Sequence, residues 1–169
     1  MPVRVSSELS RIVWESAIVR SMSSRLLKRD KIGILEGLPL FENCTKRELG
    51  QLATITTESD RKPGQYLTYE GHEGGLMFVI VEGQAEVLSG TSGHKEKVIG
   101  KLGPGEVVGE LSLIDGQARS ASVRAVTPVR LLEITSEDFR SLVDNSPKFV
   151  RNLLRALSIR VRQMDALTN

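Results

Sequence analysis

Hydrophobic and polar positions change rhythm between the middle of the chain and its ends. From Ile55 to Gly100, short runs rich in Val, Ile, Tyr and Phe are broken at Pro63-Gly64, Gly71, Gly74-Gly75, Glu82-Gly83 and Gly90 to Gly93. Many short strands at such regular turn spacing predict an all-β sandwich or barrel. Glu82-Gly83 between FVIV and QAEVL predicts a β-hairpin. Farther on, Ser120 to Thr127 alternates with Ala121, Val123 and Ala125 on one face, and Val129 to Ile134 predicts a last strand.

The ends follow a helical period. Thr45-Lys46-Arg47-Glu48 is a capping box that opens a helix through Leu49, Leu52 and Ala53. Ser136-Glu137-Asp138 opens another through Phe139, Leu142 and Val143, which Asn145-Ser146-Pro147 ends and Pro147 restarts. The final helix, from Lys148 to near Leu167, carries a stripe of Val150, Leu153, Leu154, Leu157, Val161 and Met164. Ser7 caps a predicted first helix through Leu9, Ile12, Val13, Ile18, Met22 and Leu26, whose apolar face is broad. Both terminal helices fit packing on the barrel. Dimerisation, docking of another protein and, for the basic first helix, contact with a membrane surface stay open.

Composition narrows the function. A chain of 169 residues, 40% hydrophobic, suits one domain with an appendage. Its net charge of +2 is too small to make nucleic acid or an anionic membrane the main partner. The single cysteine, Cys44, fits a reducing compartment. No run approaches a transmembrane segment and MPVRVSSELSR lacks a signal-peptide core, so a cytoplasmic protein is expected. His72 and His94 both lie in glycine-rich loops, and no metal site is expected. There is no Walker sequence, and Gly103, Gly105 and Gly109 miss the dinucleotide fingerprint. Without a legible nucleophile, base or metal, the chain reads as a binding protein rather than an enzyme.

Residues 103 to 125, GPGEVVGELSLIDGQARSASVRA, carry the chemistry. Three glycines lead into Glu110-Leu111-Ser112-Leu113-Ile114, long enough for one helical turn whose free N–H groups favour an anion. Arg119 can grip a phosphate with its planar fork, while the Ser120 hydroxyl adds a donor. Glu110 would repel that phosphate, and a ribose hydroxyl beside it is the better target. The implied ligand is a nucleotide of small negative charge.

The segment from Gly109 to Ala121, with its Gly-Glu-Leu start and Arg-Ser-Ala finish, resembles the phosphate-binding cassette of cyclic nucleotide-binding domains. That family includes bacterial catabolite activators, regulatory subunits of protein kinase A and cyclic-nucleotide-gated channels. Pro39-Leu40-Phe41, and Glu70-Gly71 before Met77 to Gly83, extend the resemblance to roughly residues 38 to 164. It implies a mainly β fold with flanking helices: an eight-stranded, jelly-roll-like β-roll, or double-stranded β-helix. A helical extension over 1–37 would precede a binding domain over 38–169 that ends in a lid helix. The implied ligand is cyclic AMP, with cyclic GMP as the other candidate and no metal.

By the same resemblance Gly109 opens the anion cradle, Glu110 takes the ribose 2′-hydroxyl and Arg119 pairs with the cyclic phosphate. Ser120 and the N–H groups of Leu111, Ser112 and Ala121 complete the cradle. Val87, Leu102 and Val123 wall the sugar and base. The pattern is broken at Val108, where many relatives carry phenylalanine, and at Ala118, where proline is frequent. Met164-Asp165 stands where catabolite activators present a Thr-Ser pair to the base. The output implied is movement of the C-terminal helix, an unidentified protein effector or a homodimer through helices. Direct nucleic-acid binding is not expected, because the chain stops at Asn169 before any helix-turn-helix. The alternatives are a ligand-free interaction module of the same fold, or the sensor piece of a channel or transcription regulator.

Overall fold

The computed structural model describes residues 25–38, 41–90 and 95–168. In chain order the elements are α1 (Lys28–Glu36), α2 (Lys46–Ile55), β1 (Thr57–Arg61), β2 (Tyr66–Thr68), β3 (Leu76–Glu82), β4 (Ala85–Ser89) and β5 (Lys97–Leu102). There follow β6 (Val107–Val108), α3 (Glu110–Asp115), β7 (Ser122–Ala125), β8 (Val129–Thr135), α4 (Ser136–Asn145) and α5 (Pro147–Thr168). The strands form two antiparallel sheets, ordered β1-β8-β3-β6 and β2-β7-β4-β5. This is the expected mainly β roll with helices at both ends.

The first sheet lies between two cores. Met77 to Val81 are all buried in β3, as a strand covered on both faces requires. Period-two alternation sends Met77, Val79 and Val81 toward the helices and Phe78 and Ile80 into the roll. In β8, Leu132 and Ile134 join the helical core, while Val129 and Leu131 join the inner one. Phe149 of α5 stacks on Phe41 with ring centroids 5.7 Å apart and meets Phe139 of α4 edge-on at 5.6 Å. Ile34 and Leu35 of α1, together with Leu26 and Leu38, enter that same helical core.

The hairpin expected at Glu82-Gly83 is not formed. A turn occurs there, but β3 pairs with β6 and β8 whereas β4 pairs with β5 and β7, so the chain crosses between sheets. Gly83 makes the crossing with φ of 93°, and a Cβ there would land on the Pro128 carbonyl oxygen. Gln84 O accepts hydrogen bonds from the N–H groups of Val126 (2.8 Å) and Thr127 (3.3 Å), tying this corner to the one before β8.

The capping box at α2 is formed: Thr45 Oγ1 accepts from Glu48 N at 3.2 Å, and Glu48 Oε2 accepts from Thr45 N at 2.6 Å. Thr135 caps α4 by accepting from Asp138 N at 3.2 Å. The α1 helix has no Ser or Thr cap; Leu27 N donates instead to Asp30 Oδ2 at 3.1 Å. The helix expected from Ser7 lies outside the described residues except at Leu26, which stands in non-helical chain before α1, since Leu27 is extended; Leu26 is buried and its N–H donates to Glu58 Oε1 at 2.8 Å. At the C-terminal end, Asn152 Nδ2 donates to Glu42 O at 2.7 Å and Leu153 is buried. Leu157 is half-buried, while Ser158, Ile159, Val161 and Arg162 are exposed.

Candidate functional site

The cassette begins where β6 ends. Val108 is buried in the inner core, and Gly109 follows at φ of 88°, a left-handed conformation in which glycine carries no Cβ penalty. A Cβ at Gly109 would land on Arg119 Nη1 and lie 3.0 Å from Leu76 O. The chain then turns into α3, six residues long, which Gly116 closes at φ of 69°. The N–H groups of Glu110, Leu111 and Ser112, in the first turn, have no carbonyl four residues back within the helix.

Two opposite charges are buried there. Glu110 is 6% exposed and Arg119 8%, degrees of burial such residues rarely reach without partners. Arg119 is held at both backbone and side chain. Its N–H donates to His72 O (2.9 Å), and its carbonyl accepts from Gly71 N (2.9 Å). Its Nη1 donates to Gly109 O at 2.9 Å and its Nη2 to Leu76 O at 2.5 Å. Those bonds use two of the five guanidinium N–H groups. Burial pushes the Arg119 pKa down and the nearby Glu110 charge pulls it back up, but a guanidinium remains cationic throughout.

The other sequence-predicted residues fall into distinct positions. Ser112 is buried, Leu111 and Ser120 are exposed, and Ala121 is half-buried with its carbonyl accepting from Thr68 Oγ1 at 3.3 Å. Val123 is a core residue of the inner cluster, with Val87 and Leu102 half-buried against it. Register sets Val123 opposite Val87, and Val87 in turn opposite Gly100, in one row across the second sheet. The side chain of Met164 lies outside the described residues, and Leu157 packs against the helical core.

Sequence reading missed several supports. Ser122 is fully buried and its Oγ accepts from Glu70 N at 2.9 Å; Glu70 Oε2 in turn accepts from Gly90 N at 3.0 Å. Gly74 abuts both Ser112 and Arg119. The only advance signal was the glycine pair at Gly74-Gly75; alternation sets Ser122 on the face opposite Ala121, Val123 and Ala125, and gave no sign of its burial.

A groove of about 970 Å³ lies elsewhere, among Ile32 of α1, Leu52 of α2, Leu142 of α4 and Phe149 of α5, and no cassette residue lines it. Among the described residues, no three His, Cys, Asp or Glu side chains gather in a way that would hold a metal ion. Among them, too, no helix is long and apolar enough to cross a membrane.

Residues 59–146, about half of the chain, match the family model described as "Cyclic nucleotide-binding domain". The chain is 30% identical over 131 residues to the cyclic AMP receptor protein of Thermus thermophilus, an overlap of 78% of this chain and 61% of that protein. It is 33% identical over 117 residues to the cAMP-dependent protein kinase regulatory subunit of Mycosarcoma maydis, covering 69% of this chain and 22% of the subunit. The chain therefore spans less than two thirds of either relative. The crystal structure of Thermus thermophilus catabolite activator protein superposes with a TM-score of 0.70 at 30% identity, over 77% of this chain and 61% of that one. The matched span runs from within β1 through α4 and includes the whole cassette, and the chain belongs to the cyclic nucleotide-binding domain family.

Proposed function

We propose that this chain senses cyclic AMP through the cassette and passes the binding event to α5 or to a partner protein. The observation that carries this reading is the burial of Glu110 and Arg119 together beside a glycine-led helical turn. In it, Arg119 meets the cyclic phosphate, Glu110 accepts the ribose 2′-hydroxyl, and Ser120 with the N–H groups of Leu111, Ser112 and Ala121 completes the cradle. Val87, Leu102 and Val123 provide apolar surface for sugar and base, and α5 acts as the lid of a domain running from residue 38. Two relatives named for cyclic AMP, a cyclic AMP receptor protein and a cAMP-dependent protein kinase regulatory subunit, support cyclic AMP over cyclic GMP.

A thermal melt of the full chain with and without nucleotide tests this reading. Binding in the micromolar range or tighter is expected, and ligand at ~100 times its dissociation constant adds about 2.7 kcal/mol of stability. An unchanged melting temperature in millimolar cyclic AMP and cyclic GMP would sink it. The second reading, a ligand-free interaction module, draws on the bonds Arg119 already makes to two carbonyls. The same melt separates the two.

A further inference from the structure

We propose that Gly74 is a positioning residue of the phosphate site, its missing side chain letting the first turn of α3 close against the guanidinium of Arg119. A Cβ built on Gly74 would lie 2.5 Å from Ser112 Cβ, 3.1 Å from Arg119 Cζ and 3.2 Å from Arg119 Nε. Carbon atoms settle about 3.5–4.0 Å apart, so a single methyl forces a separation of about 1 Å there. Ser112 Cβ cannot swing aside as the tip of a long side chain would, because it is fixed to the helix backbone.

Nor can the glycine loop easily retreat. Gly71 N and His72 O are bonded to the backbone of Arg119, and Gly75 O accepts from Ser136 N at 2.9 Å, all three bonds being 2.9 Å long. The displacement therefore falls on the geometry of Ser112 and Arg119. Gly74 is not among the glycines of positive φ, so alanine is compatible with its backbone and the effect is steric. This inference rests on the proposed phosphate role of Arg119. A binding constellation has to be held within about 0.5 Å of its productive geometry, and a displacement of about 1 Å exceeds that.

The test uses the full chain as wild type, Gly74→Ala and Gly74→Ala/Ser112→Gly. In the unliganded proteins, the Arg119 Nε–H resonance, assigned by its loss in Arg119→Lys, reports the guanidinium directly. Gly74→Ala should shift or broaden that resonance, and the added Ser112→Gly should return it toward wild type. Calorimetry with cyclic AMP and its two phosphorothioate diastereomers should show Gly74→Ala binding cyclic AMP at least about tenfold more weakly, with a changed preference between the diastereomers.

An unshifted Arg119 resonance, or an equal loss for all three nucleotides, overturns the positioning role. If Gly74→Ala fails to fold, Ser112→Gly must restore both folding and the resonance; failure to do so also overturns it. Wild-type chain that binds no cyclic nucleotide sinks the proposed function instead, while the resonance still decides the role of Gly74.

Discussion

Arg119 is a buried cation whose side chain holds two backbone carbonyls together. Carbonyls contribute partial charge, whereas a phosphate supplies a full counter-charge and short, charge-assisted bonds. Arg119→Leu should therefore remove about 2–5 kcal/mol of cyclic AMP binding. It should also lower apo stability, since Gly109 O and Leu76 O lose their shared donor. Glu110→Ala should weaken cyclic AMP far more than its 2′-deoxy analogue, because only the former offers the hydroxyl. Titration calorimetry showing equal losses for both analogues would remove Glu110 from that role. These two positions stand out in the sequence because a Gly-Glu-Leu start and an Arg-Ser-Ala finish bracket one short segment, and the structure buries both side chains. Ser122 does not stand out, because its partner Glu70 lies 52 positions away. Gly74 does not either, because it acts through a side chain it lacks.

The α5 helix is anchored at its start and exposed farther along. Asn152 ties it to Glu42 O and Leu153 is buried, while Ser158, Ile159, Val161 and Arg162 face solvent. A ligand moves such a helix only by contacting it better in one arrangement than in the other. Packing of the base on Leu157 or Val161 would be worth about 1.5–3 kcal/mol per well-buried side chain. Deletion of residues 157 to 169 keeps the Asn152 anchor and should leave a folded roll that binds cyclic AMP at least roughly tenfold more weakly. Hydrogen exchange in the intact chain should slow along α5 when nucleotide is added. Equal binding by the deleted chain, with exchange in α5 indifferent to ligand, would make the helix a fixed element. Element by element, legibility followed locality. Thr45 and Glu48 write the cap of α2 within four positions, whereas α1 opens on Leu27 without a Ser or Thr cap. Glu82-Gly83 announced a turn, but which sheet receives the next strand depends on the distant Pro128 and Thr127 packed against that corner.

At the scale of the whole molecule, β3 and β8 give alternate residues to the helical core and to the inner core of the roll. Leu76, the first residue of β3, also supplies a carbonyl that fixes Arg119. The helices and the cassette are therefore joined through strands neither core can release alone, and unfolding should be one cooperative event. Phe149 tests this, since it is 1% exposed in the helical core and touches both Phe41 and Phe139. Phe149→Ala should cost about 3–5 kcal/mol through lost burial and the cavity left behind. Because the cores share two strands, the slowest-exchanging amides of β7, on the far sheet, should lose as much protection as those of α4 beside the substitution. Hydrogen exchange measured by mass spectrometry on peptides from the two elements makes the comparison. If β7 keeps its wild-type protection while α4 loses its own, the helical layer opens as a separate unit and β3 is not the mechanical link between helices and cassette.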